Sequence, residues 1–133
     1  MALILVIDDV AMMRDLVRRM LERDQHSVVE AEDGEVGIAV VEMQDPALVI
    51  TDLIMPKKEG IETIQQIRRS HPNTKIIAMS GHVGADGVSY LDAARKLGAD
   101  AILVKPFLRA ALLAVVDRLL NVGCAGHPRS ATG

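Results

Sequence analysis

The chain has 133 residues, half of them hydrophobic and a quarter charged, with a formal net charge of −3. This composition fits one globular domain and excludes a disordered chain, which lacks the apolar surface to build a core. The mild acidity leaves no basic footprint for nucleic acid, Tyr90 and Phe107 are too few rings for base stacking, and no apolar run reaches the ~20 residues that cross a bilayer.

The first element is a strand, Leu3 to Ile7, apolar at every position and so expected to be buried on both faces. The opening MALILVIDDV is too short and too acidic for a signal peptide, and a cytoplasmic location is expected. The strand stops at Asp8 and Asp9. Met13, Leu16, Val17, Met20 and Leu21 then recur at helical spacing, with Arg14, Arg18, Arg19 and Arg23 as a modest basic face. A second strand is predicted over Val28 to Ala31. Asp33-Gly34 precedes a second helix marked by Val36, Val40 and Met43, which Asp45-Pro46 ends because proline pushes its predecessor out of helical geometry.

The third strand, Ala47 to Thr51, closes on Asp52. After the loop Leu53 to Gly60, a third helix carries Ile61, Ile64 and Ile67. The fourth strand, Lys75 to Met79, stops at Ser80. Gly81, Gly84 and Gly87 lie in the following loop, ahead of a fourth helix with Tyr90, Leu91, Ala94 and Leu97 on its apolar side and Gly98 as its left-handed cap. The fifth strand, Ala101 to Val104, runs into Lys105-Pro106, and Leu108, Leu112, Val115, Val116 and Leu119 mark the last helix. A domain over residues 1–122 is expected, with 123–133 as a loose tail. The methionines Met12, Met13, Met20, Met43, Met55 and Met79 are expected to fill the core or pack at strand ends. His26, His71 and His127 fall in turns or the tail and receive no role. One cysteine, Cys124, permits neither an internal disulfide nor a thiolate metal cluster.

Alternating strands and helices predict an α/β fold with a parallel sheet covered on both faces. Ligands of such sheets bind beyond the carboxyl ends of the strands. Those ends carry Asp8, Asp9, Asp52, Ser80 and Lys105. Each alone has a plain alternative: a helix-start acid, a turn acid, a capping hydroxyl, a solvated lysine. Together they form a set suited to accepting a phosphoryl group. Clustered carboxylates ask for a hard cation such as Mg²⁺, one carboxylate can act as nucleophile, and a lysine and a hydroxyl can meet the phosphoryl oxygens.

With these motifs, VIDDV, ITDLIMPKKEG, IIAMSGH and LVKPF, the sequence resembles the response-regulator receiver domain of two-component signalling over about residues 2 to 122. The resemblance implies a flavodoxin-like doubly wound sheet of five strands in the order 2-1-3-4-5 with five helices. It also implies that Asp52 takes a phosphoryl group from a phosphohistidine, and that Asp8, Asp9, Asp52 and the main-chain carbonyl of Ile54 hold Mg²⁺. Ser80 and Lys105 are then the phosphoryl-oxygen partners, and a cis peptide precedes Pro106. Ile54 and His82 match positions that tune dephosphorylation. Ile102 stands where the family has an aromatic switch residue, so signalling here is expected to reorder the loop after Ser80 and the fourth helix.

The implied partners are a sensor histidine kinase or histidine phosphotransfer protein and a downstream protein target, with no direct nucleic acid and no membrane. Helix one is a further candidate for docking a partner helix. Dimerisation through the face of helix four, strand five and helix five is a further expectation, as is a receiver acting without an output domain on the chain and with no enzymatic turnover beyond self-phosphorylation and slow self-dephosphorylation. The competing readings are a constitutive binding module and a phosphatase of the haloacid-dehalogenase type. The latter family places its nucleophile and acid two residues apart, whereas Asp8 and Asp9 are adjacent and followed by Val10.

Overall fold

A computed structural model describes residues 2–53, 60–81, 92 and 94–124. In chain order the elements are β1 (Leu3–Ile7), α1 (Ala11–Arg23), β2 (Ser27–Ala31), α2 (Gly34–Gln44), β3 (Leu48–Asp52), α3 (Gly60–Ser70) and β4 (Lys75–Ser80). A helical segment, α4, follows over 94–97, then β5 (Ala101–Val104) and α5 (Arg109–Cys124). The sheet is wholly parallel in the order β2-β1-β3-β4-β5.

The apolar run of β1 divides between two cores because successive side chains of a strand point to opposite faces. Leu5 and Ile7 join Val41, Val49, Ile64, Ile67 and Ile76 under α2 and α3. Ile4 and Val6 join Val17, Leu21, Ile50, Met79, Leu112 and Val116 under α1 and α5. Burial on both faces explains why these strands read as continuous apolar runs without alternation.

Several boundaries move by a residue or two. β2 begins at Ser27, β3 runs from Leu48 through Asp52, and β4 includes Ser80. Parallel pairing accounts for the last two, since Asp52 lies opposite Met79 and Ser80 opposite Val104. Helix α5 reaches Cys124, two residues past the expected end of the domain at 122; residues 125–133 lie outside the described residues. Tyr90, Leu91 and the glycines at 84 and 87 also lie outside them, so the start of the fourth helix does too.

Asp45 leaves the helix before Pro46, but into the left-handed region (φ 48°) in place of an extended one. Aspartate tolerates that conformation better than most residues. Gly98 has φ +133°, where a side chain is strained, and a Cβ there would meet Arg68 at 3.1 Å. The methionines are not uniformly core. Met79 is fully buried and Met13 and Met20 pack against the core, yet Met12 and Met43 are exposed because they fall on the solvent sides of α1 and α2. Met55 lies outside the described residues.

Asp33 caps α2, its Oδ1 accepting the Val36 N–H at 2.9 Å from a buried position. Replacing it with alanine leaves that donor unsatisfied, so Asp33→Ala is expected to cost about 1 kcal/mol in urea denaturation.

Candidate functional site

The parallel register brings the carboxyl ends of four strands to one edge. Ile7 pairs with Thr51, Thr51 with Ala78, and Met79 with Leu103, so the residues just beyond them converge. Asp8, Asp9 and Asp52 each offer a carboxylate oxygen, and the three atoms lie within 4.8 Å of one another. Lys105 Nζ sits 3.1 Å from Asp8 Oδ2 and 3.4 Å from Asp52 Oδ1. Asp8 has no exposed side-chain surface, and its Oδ1 accepts the Val10 N–H at 2.9 Å. Asp52 Oδ1 also accepts the Leu53 N–H at 3.0 Å, while Asp9 is exposed. Ser80 is buried at the end of β4, and Lys105 N–H donates to its carbonyl at 2.8 Å. The Lys105–Pro106 peptide is cis.

Gly60 packs directly against the backbone at the end of β3. Its N–H donates to Leu53 O at 2.9 Å, so α3 starts against the Asp52–Leu53 peptide. Gly81, by contrast, would tolerate a Cβ, which would meet Lys105 Cβ at an ordinary 3.6 Å. An apolar cavity of about 360 Å³ beside Lys105 is lined by Met13, Leu16, Gly81, Pro106 and Phe107.

Burial pushes the Asp52 carboxyl up to about 6, against the pull of Lys105 and with a further push from Asp8. A carboxyl whose folded pKa lies above its unfolded value keeps its proton longer in the folded state. The contribution of Asp52 to stability therefore falls as pH rises from about 4 to about 6, and its penalty is complete above that. In EDTA at pH 7.5, Asp52→Asn is expected to be about 2 kcal/mol more stable than the parent, allowing for solvent that still reaches the carboxylate, and equal to it near pH 4. Urea midpoints across that range check this.

The basic face of α1 is largely paired. Arg14 Nε donates to Glu30 Oε1 at 3.1 Å, Arg18 Nε lies 3.0 Å from Glu30 Oε2, and Arg18 and Arg19 both reach Asp15. Ile102 is half-buried and packs against the core under α2 and α3. Ile54 and His82 lie outside the described residues.

Sequence reasoning missed two positions. Gly60 was read only as part of a motif, yet a Cβ there would lie 2.2 Å from Asp52 O. His26 lies in the α1–β2 turn as expected, but it is buried there and groups with Asp24 and Asp117. Its Nδ1 accepts the Ala2 N–H at 3.1 Å, so in the neutral ring the proton sits on Nε2, 3.6 Å from Asp24 Oδ2. In that tautomer Nε2 carries the proton, makes no hydrogen bond among the described residues and offers no lone pair to a metal. No local sequence signal marks it, because its neighbours come from α5 and the chain start.

A family model described as the response regulator receiver domain matches residues 4–117. The chemotaxis protein CheY of Halobacterium salinarum is 32% identical over 118 residues, which cover 89% of this chain and 96% of that protein. The transcriptional regulatory protein DegU of Brevibacillus brevis is 32% identical over 128 residues, covering 95% of this chain and 53% of DegU. The solved receiver domain of NtrX from Brucella abortus is similar with a TM-score of 0.84 at 29% identity, covering 89% of this chain and 98% of that one. This chain spans about half the length of several curated relatives, DegU and the MprA response regulators among them. No helix among the described residues is long and apolar enough to cross a membrane.

Proposed function

The chain belongs to the response regulator receiver family of two-component signalling, and from that premise we propose that Asp52 is its phosphoacceptor. The observation that carries this reading is the buried Asp52 carboxylate held between Lys105 and the Asp8–Asp9 pair. With Oδ1 tied to Leu53 N–H and Lys105, we assign attack to Oδ2. That oxygen forms the new bond to phosphorus as the bond to the donor imidazole nitrogen breaks. The imidazole leaves with the electron pair and takes up a proton.

Lys105, already within reach of Asp8 and Asp52, turns its ammonium to the incoming phosphoryl oxygens, and the Ser80 hydroxyl serves them as a donor. Asp8, Asp9 and Asp52 fit Mg²⁺ as a set of hard oxygen donors at mutual ligand distance, with the Ile54 main-chain carbonyl as an expected fourth. Mg²⁺ when bound supplies charge neutralisation and oxygen orientation at the phosphoryl group.

The phosphoryl donor in this proposal is a histidine kinase or histidine phosphotransfer protein, and the readout is altered binding of a protein target or onward transfer. Ile102 carries no ring, so we place the response in the segment between Ser80 and α4 and in the α4, β5 and α5 face, which also serves as the dimer surface. Neither the phosphatase nor the constitutive binding module is favoured by the relatives. The reaction is cytoplasmic and has no turnover beyond slow loss of the phosphoryl group from Asp52.

The test is incubation with Mg²⁺ and acetyl phosphate, followed by intact-mass and peptide mass spectrometry. A mass gain of one phosphoryl group located at Asp52 and abolished by EDTA is expected. Label on another residue sinks the assignment, catalytic release of phosphate from small esters supports the phosphatase, and no label supports the binding module.

A further inference from the structure

The two acids of the β1–α1 turn are held differently. Asp8 is fixed through its own carboxylate, by Val10 N–H and Lys105 Nζ. Asp9 is exposed, and the direction of its side chain follows from the peptide that precedes it. The carbonyl of that peptide, Asp8 O, accepts a 2.7 Å hydrogen bond from Arg14 Nη1. The Arg14 side chain is only 17% exposed, and its Nε is bonded to Glu30 on β2. Glu30 is in turn paired with Arg18. The guanidinium is therefore gripped at both ends, and its backbone N–H bonds Val10 O in the same turn at 3.0 Å. A planar fork with several donors can make such a bridge; a single ammonium cannot.

We infer that Arg14 is a positioning residue for the cation site: it fixes the Asp8–Asp9 peptide so that the Asp9 carboxylate faces Asp52. The inference rests on the reading of Asp8, Asp9 and Asp52 as the Mg²⁺ site. Charge and position make opposite demands at residue 14. A guanidinium beside the acids repels a divalent cation, so by Coulomb's law alone its removal tightens binding. As a positioning group its removal frees the Asp8 carbonyl, loosens Asp9 and weakens binding. Loss of partners that orient metal ligands typically weakens affinity about 10- to 100-fold. The sign of the change therefore identifies the role.

The experiment measures Mn²⁺ affinity by water-proton relaxation, with Mg²⁺ as competitor, on the full chain and on Arg14→Gln and Arg14→Lys. Circular dichroism selects conditions in which each variant is folded, so a loss of stability alone leaves the affinity unchanged. Arg14→Gln is expected to weaken Mn²⁺ about tenfold, and Arg14→Lys to weaken it comparably although the charge is kept. Unchanged or tighter binding by Arg14→Gln overturns the inference. If that variant does not fold, Arg14→Lys decides alone, with parental affinity as the overturning result. Absence of Mn²⁺ binding by the parent chain refutes the carboxylate site itself, a different outcome from a parent that binds and variants that match it.

Discussion

Gly60→Ala is expected to destabilise the protein by about 3 kcal/mol and to slow phosphoryl uptake by the molecules that still fold. An added Cβ would lie 2.2 Å from Asp52 O, 2.5 Å from Leu53 Cα and 3.0 Å from Asp52 C. All three are backbone atoms, so no rotamer change relieves the overlap. The start of α3 has to move away from the end of β3, and the Gly60 N–H to Leu53 O bond is lost. The strand end that moves carries Asp52, so stability and labelling fall together. Gly37 provides the contrast, because a Cβ there would meet side-chain atoms alone, Ile7 Cδ1 at 2.4 Å and Cγ1 at 2.9 Å, which can shift at less cost than backbone. Gly37→Ala is accordingly expected to cost about 1 kcal/mol and to leave labelling intact. Urea denaturation and acetyl phosphate labelling of both variants measure the difference.

Lys105→Met is expected to cost about 3 kcal/mol in metal-free protein, with a large part restored by Mg²⁺. The substitution keeps the length of the stem and removes the ammonium that faces Asp8 Oδ2 at 3.1 Å and Asp52 Oδ1 at 3.4 Å. Asp8 is wholly buried, so its carboxylate loses its cation where water cannot replace it. Breaking a buried pair from one side typically costs about 3–5 kcal/mol, and partial exposure of Lys105 places this case at the lower end. The lysine also holds the Asp52 carboxyl down, so its loss raises that pKa above about 6. The descending limb of the stability profile then extends to higher pH. Thermal melts in EDTA and in Mg²⁺ from pH 5 to 8 report both effects; a variant as stable as the parent in EDTA at pH 8 contradicts the account.

These two positions also separate what can be read locally from what cannot. Lys105 was legible as a polar residue ending an apolar strand, the same signal that marks Asp8, Asp9, Asp52 and Ser80. Gly60 was not, because nothing in its neighbourhood along the chain says that a helix start will press against Asp52. Arg14 likewise reads as one of several arginines on a solvated face, and only packing joins it to the Asp8 carbonyl and Glu30. The turn around His26 was legible, but its burial was not, since the groups packed on it include Asp117 and Ala2, far along the chain.

The sequence by itself determined the order of the elements, the double burial of the central strands and the polar residue types at the strand ends. Those features are local, because apolar periodicity and chain-breaking residues act over a few positions. The tertiary structure decided the rest: the register that makes Asp52 the last residue of β3, the contact between Lys105 and Asp8 across 97 positions, and which charges of α1 are already paired. A side chain's direction from its own strand is set within that strand, but its neighbour across the sheet is set by which strands pair and in what register.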